Sequence, residues 1–226
     1  MSFASAREGA SSVDEAKKEL LRAVAGTRRA PRTATAADVL RAVAEVERAS
    51  SNAMLASIDG DWTLAYSAKD SDSAFGGIAF GEDVVNAITS ALYATFFKFA
   101  PLLAGSAETN QRGVRNAQSV DCVRGVVRNE VDVDVASTPL ASASVSAIRV
   151  GVDGEIKAFD RDGRTVEVTF TSFDIGLVSN AGASADERRV KFPLPRPKGI
   201  LDTTFCDESM RISRGGRGGV FVLTRV

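Results

Sequence analysis

The sequence predicts a mainly β domain preceded by two short α-helices, with one apolar helix inserted among the strands. Three observations carry that prediction. Apolar residues recur at helical spacing in the N-terminal part, and at every second position from Asp59 onward. The closing stretch "RISRGGRGGVFVLTRV", Arg211 to Val226, sets a glycine-rich tip between two alternating runs.

The opening "MSFASAREGASS" is rich in Ser and Ala with a single Arg, so residues 1–11 read either as a flexible terminus or as a transit-peptide remnant. Ser12 and Glu15 stand in capping-box spacing. Val13, Ala16, Leu20 and Val24 follow on one helical face, which predicts a helix from Ser12 to about Gly26. "TRRAPRTAT" is a loop broken by Pro31. Thr35 with Asp38 then opens a second helix with Val39, Val43 and Val46 on one side. The helices thus occupy 12–49 and the strands 58–226 of a single domain, 12–226.

In "DGDWTLAYS", Trp62, Leu64 and Tyr66 alternate with Thr63 and Ala65 after an Asp-Gly turn signal. "NEVDVDV" turns Val131, Val133 and Val135 one way and Glu130, Asp132 and Asp134 the other, as a sheet with one wet side requires. That alternation explains the three acids without a metal. "VDGEIKAFDRDGRTVEVTFTSF" carries Val166, Val168 and Phe170 on one face, and its pairs Asp153-Gly154 and Asp162-Gly163 predict hairpin turns. The Pro-rich "KFPLPRPKG" reads as a linker or an extended edge. In the closing stretch, Met210 and Ile212 alternate with Arg211 and Ser213, and Phe221 and Leu223 with Val222 and Thr224. Disordered Arg/Gly tails lack such flanks and repeat their motif many times, so this is a hairpin.

One segment departs from period two. Val84 to Leu103, "VVNAITSALYATFFKFAPLL", carries Lys98 as its single charge, and Val84, Ile88, Leu92, Phe96, Phe99 and Leu103 recur at helical spacing. A buried or lid helix, an interfacial lipid-contacting helix and a membrane span all fit the pattern. Asn86, Lys98 and Pro101 weigh against the span.

Composition narrows the chemistry. Lys and Arg number 28 against 29 Asp and Glu, so no overall charge favours a nucleic-acid partner. The chain has no histidine and two cysteines, Cys122 and Cys206, which removes His-based catalytic and metal sites and any disulfide framework. A carboxylate pair such as Asp202 and Asp207 is what remains for an enzyme, and catalysis is disfavoured.

Four passages together resemble one family. "LDTTFCDESMRISRGGRGGVFVLTRV" is similar to the closing segment of the plastid lipid-associated proteins, also called fibrillins or plastoglobulins. "DGDWTLAYS" resembles that family's Gly-x-Trp-x-Leu-x-Tyr strand, "NAQSVDCVRGVVRNEVDVDV" its following strand pair, and "AKKELLRAV" its opening helix. The resemblance implies a lipocalin-like antiparallel β-barrel in chloroplasts, associated with plastoglobules or thylakoids, without a cofactor. It implies a hydrophobic lipid ligand such as a prenylquinone, a carotenoid or a fatty acid. The alternative it leaves is a scaffold or activator for an enzyme of prenyl-lipid metabolism.

The period-two face then names the expected apolar cavity: Trp62, Leu64, Tyr66, Val168, Phe170, Ile212 and Phe221. Phe96, Phe97 and Phe99 are the expected contacts with a lipid surface, to which the protein attaches peripherally.

Overall fold

The computed structural model describes residues 3–29, 31–51, 55–69, 114–134, 145–158, 163–179, 189–216 and 218–226. Val84 to Leu103, with Phe96, Phe97 and Phe99, lies outside them. Two helices, α1 (Phe3–Thr27) and α2 (Ala36–Ala49), precede nine strands. These are β1 (Gly60–Lys69), β2 (Val114–Asp121), β3 (Val126–Asp134), β4 (Val145–Ala158), β5 (Thr165–Ser179), β6 (Arg189–Pro193), β7 (Lys198–Cys206), β8 (Met210–Gly215) and β9 (Gly219–Arg225). Among the described residues no apolar helix interrupts the strands, and no helix is long and apolar enough to cross a membrane.

The N-terminal helix is longer than its capping signal predicts. It spans 25 residues from Phe3, so Ser12 lies inside it. The Ala, Arg and Glu residues upstream of Ser12 favour helix strongly enough to extend it past that local signal. The start of α2 follows the expectation: Thr35 accepts from the Asp38 backbone N–H while the Asp38 carboxylate accepts from the Thr35 N–H at 2.9 Å. Val39, Val43 and Val46 form its buried side.

All strand pairings are antiparallel, in the order β4-β3-β2-β1-β9-β8-β7-β5-β6, and a further β4–β5 pairing closes the sheet into a ring. The ring departs from a lipocalin-like barrel at β5. This strand pairs with β7 through Thr165–Thr169 and with β6 through Ser172–Gly176, so β6 branches off the ring. The Pro-rich run supplies that branch: Arg189–Pro193 is the extended edge, and Leu194 beyond it is buried.

Asp153-Gly154 is not a turn. It sits inside β4, at a bulge where Gly154 faces Phe170 and a Cβ would lie 3.1 Å from Val127 Cγ1 and 3.2 Å from the Thr169 carbonyl. Gly154 is there for close approach, which a dipeptide signal alone does not distinguish from a turn. Gly163 does lie in the β4–β5 connection, at φ +63°. The closing hairpin is in place: β8 pairs with β9, β9 with β1 and β8 with β7.

Both helices pack on the outside of the ring. Leu20, Val24, Val39, Ala42, Val43 and Val46 meet Tyr66, Phe205, Met210, Ile212, Val220 and Val222. Two polar clamps hold them there. Glu47 accepts from Arg214 Nε at 2.9 Å, Arg214 Nη2 at 2.8 Å and Thr204 Oγ1 at 2.6 Å. Lys17 reaches Asp207 at 2.5 Å and Ser209 Oγ at 2.8 Å, while Asp207 also accepts the backbone N–H groups of Ser209 and Met210 in the β7–β8 turn.

Burial pushes both carboxyls up, but these donors outweigh it and hold Glu47 and Asp207 below the ordinary range. A carboxylate with a folded value below its unfolded one contributes stability above the unfolded value and loses it as pH falls through the folded one. Wild type is therefore expected to lose stability below about pH 5. A Glu47→Gln/Asp207→Asn double variant should lose less of its urea midpoint over the same window. Equal losses in the two proteins would show that the clamps do not carry the effect.

Candidate functional site

A ring of strands has an outer wall, here partly covered by the helices, and an inner one. Residues directly opposite each other across paired strands share a wall. Leu64, Leu223, Arg211 and Cys206 form one such row across β1, β9, β8 and β7. Trp62, Gln118, Asn129, Val152 and Phe173 form another across β1 to β5. Ser67, Phe221, Ser213 and Thr203 form a third. The buried cluster built on these rows joins Trp62, Leu64, Val120, Val127, Val166, Cys206 and Leu223, with Ile156, Val168, Leu201 and Phe221 packed against it. Side chains from so many strands meet only inside the ring.

Of the seven residues expected to share one apolar face, Trp62, Leu64, Val168 and Phe221 meet in this interior. Phe170 packs beside it with Val152, Phe173 and Leu194. Tyr66 and Ile212 belong to the helix-covered side instead. A bulge between Leu64 and Tyr66 reverses the face of β1 at that point. In the hairpin, register places Ile212 opposite Val222, so Phe221 and Leu223 point the other way.

The same register turns Arg211 inward, although its alternation with Met210 and Ile212 predicts no functional role for it. Its side chain is 1% exposed, and its guanidinium carbon lies 4.9 Å from the centre of the Trp62 ring. Nη2 donates to Gln118 Oε1, and Nη1 lies 3.5 Å from the Ile58 carbonyl. Nε has no partner although it is fully buried. Burial pulls the guanidinium down to about 10, which still leaves it charged at neutral pH. The available signal was the unbroken apolar run Val220 to Leu223 in β9. A strand apolar on both faces is covered on both sides, so the polar face of its partner β8 is interior as well.

Trp62 is fully buried, and its Nε1 donates to the same Ile58 carbonyl at 2.8 Å. Arg225 lies over the ring at 4.3 Å and donates to Asp59 O at 3.0 Å. Gly60, at φ +116°, gives it room, since a Cβ there would stand 2.5 Å from Arg225 Nη1. The inner wall is thus apolar with a polar belt: Arg211, Gln118, Asn129, Thr203 and Ser213. Gln118 donates to Asn129 at 2.7 Å, and the hydroxyls of Thr203 and Ser213 are 3.3 Å apart.

At the mouth of the ring a cavity of about 280 Å³ is lined by Ile58, Cys122, Ile156, Ala158 and Val166, among others. Burial pushes the Cys122 and Cys206 thiols up, away from thiolate chemistry. Asp202 pairs with Arg164 at 3.4 Å and Asp207 with Lys17 at 2.5 Å, so each carboxylate is held by a cation of its own. Among the described residues no three metal-ligating side chains converge.

On the outer wall of β3 to β6 lies a charge network. Arg128 meets Glu130 at 2.9 Å, Asp153 at 2.6 Å and Asp174 at 2.9 Å, and Arg189 meets Glu130 and Asp174. Of the alternating acids of "NEVDVDV", Glu130 thus meets Arg128 of its own strand and Arg189 of β6, and Asp132 meets Arg149 of β4 at 2.5 Å.

Tyr66 offers a direct test of the reassigned face. Its hydroxyl is buried against the helices with no hydrogen-bond partner, and burial raises its pKa. Tyr66→Phe removes that unsatisfied group and is expected to stabilise the fold by about 1 kcal/mol, read as a higher urea midpoint. A drop in midpoint would mean that the hydroxyl has a partner in solution.

A family model described as PAP_fibrillin matches residues 82–224. No curated protein and no solved structure matches the chain.

Proposed function

We propose, from the premise that this chain belongs to the PAP_fibrillin family of plastid lipid-associated proteins, that it is a non-enzymatic protein that binds or coats hydrophobic lipids at plastoglobules or thylakoids. Prenylquinones, carotenoids and fatty acids are the ligand classes in view. The observation that carries the proposal is the inner wall: Trp62, Leu64, Val168 and Phe221 gather inside a ring of strands beside an open cavity. Closed β architectures with apolar interiors hold small lipids in this way. Phe96, Phe97 and Phe99 are proposed as contacts with the lipid surface on the strength of their apolar segment.

The test is lipid extraction and mass spectrometry of protein purified from plastid membranes after release by alkaline carbonate. A hydrophobic lipid at near-stoichiometric amount is the expected result. Protein that leaves the membrane without lipid but together with a prenyl-lipid enzyme would favour the scaffold reading. Retention in the carbonate pellet would contradict peripheral attachment.

A further inference from the structure

A charged guanidinium taken out of water needs a counter-charge or a full set of acceptors. Arg128, Arg149, Arg189 and Arg214 each meet a carboxylate. Arg211 is buried more deeply than any of them and meets none among the described residues; its contacts are an amide oxygen, a carbonyl and an indole face. Its unpartnered Nε leaves one donor of the fork unused. Ile58 links this group to the cavity, because its carbonyl accepts from the Arg211 side and the residue lines the opening.

We propose that Arg211 anchors the head of an acidic lipid, a long-chain monocarboxylate whose oxygens accept from Nε and a neighbouring Nη while its hydrocarbon lies along the apolar side of the cavity at the mouth of the ring. The inference rests on the lipid-binding reading above and narrows it to a charged head. One guanidinium balances one carboxylate, and its fork matches the two oxygens in a plane. The second guanidinium at the Trp62 ring, Arg225, is exposed to water and donates to the Asp59 carbonyl, and the remaining polar groups, Gln118, Asn129, Ser213 and Thr203, are neutral, so a phosphate dianion would keep an unbalanced charge inside the ring. The cavity, at about 280 Å³, is close to the lower end of ordinary ligand pockets; Ser57 and Cys122 make part of its lining polar, while Ile58, Ile156, Ala158 and Val166 form an apolar side that suits an alkyl chain.

The experiment offers the full chain an equimolar mixture of oleic acid and methyl oleate, followed by gel filtration and quantitation of the retained lipids. The two probes share a tail and differ in charge. Wild type is expected to retain the acid over the ester by about tenfold or more, the scale of a charged hydrogen bond. Arg211→Met should erase that preference and Arg211→Lys should keep part of it. Equal retention of acid and ester by wild type overturns the carboxylate anchor and leaves lipid binding standing, whereas retention of neither sinks both. A preference that survives in Arg211→Met places the head elsewhere and also overturns the proposal.

A second measurement needs no variant, and so decides the matter even if Arg211→Met does not fold. With carboxyl-¹³C oleic acid bound to wild type, the resonance is expected to stay at its carboxylate position as pH is lowered to about 5, because the guanidinium favours the charged form. A bound head that titrates like the acid in lipid vesicles lies in solvent, and overturns the assignment.

Discussion

Replacing Trp62 with alanine is expected to destabilise the fold by about 3–5 kcal/mol. The indole is the largest fully buried side chain, and its cluster draws on β1, β2, β3, β5, β7 and β9. Its removal forfeits the burial of the ring and leaves a void that the closed β-sheet cannot collapse to fill. It also takes a donor from the Ile58 carbonyl and the π face from Arg211, which then keeps a buried charge with fewer contacts. Trp62→Phe retains an aromatic face and is expected to cost only about 1–2 kcal/mol. Urea unfolding followed by far-ultraviolet circular dichroism measures both, since the only tryptophan is lost in each variant. A cost below about 1 kcal/mol for Trp62→Ala would show that the interior is not packed around this residue.

Much of the architecture was legible because its signals are local. The Thr35–Asp38 capping box, the alternation from Trp62 to Leu64 and the Gly-rich tip of the β8–β9 hairpin each depend on neighbouring residues, and each lies where expected. What failed to show was which wall a residue faces. Period two assigns alternate residues to opposite faces, but a bulge changes the phase, as it does between Leu64 and Tyr66 and again between Thr203 and Phe205. Strands β1, β7, β8 and β9 are covered on both sides, by helices outside and by the opposite strands inside, so apolarity no longer marks the interior. Arg211 is the consequence. In "MRISRG" it reads as a solvent-facing residue, and its inner position follows only when β8 is paired with β9, whose run Val220 to Leu223 is apolar on both faces.

Asp153-Gly154 failed for a related reason. Gly is chosen both where a chain reverses and where two backbones come close, and the dipeptide looks the same in either setting. The branch at β5 was also out of reach of local signals, because it depends on how one long strand divides its edge between β6 and β7.

The outer wall yields the other large effect, since Asp174→Ala is expected to cost about 2–3 kcal/mol. The Asp174 side chain is almost fully buried and bridges Arg128 at 2.9 Å and Arg189 at 3.3 Å. Removing it leaves two guanidiniums short of a carboxylate. The cost falls below that of a wholly buried pair because Arg128 keeps Glu130 and Asp153 and remains in partial contact with water. Gly151 lies directly beneath this contact. A Cβ there would overlap the Arg128 guanidinium and stand 2.8 Å from Asp174 Oδ2, so Gly151→Ala should drive the same two groups apart. If both substitutions act through the Arg128–Asp174 pair, the double variant will cost less than the sum of the single ones by at least about 0.5–1 kcal/mol. Strict additivity in urea midpoints would mean that Gly151 and Asp174 support the sheet independently, and that the glycine serves the backbone of β4 and not the charge network laid across it.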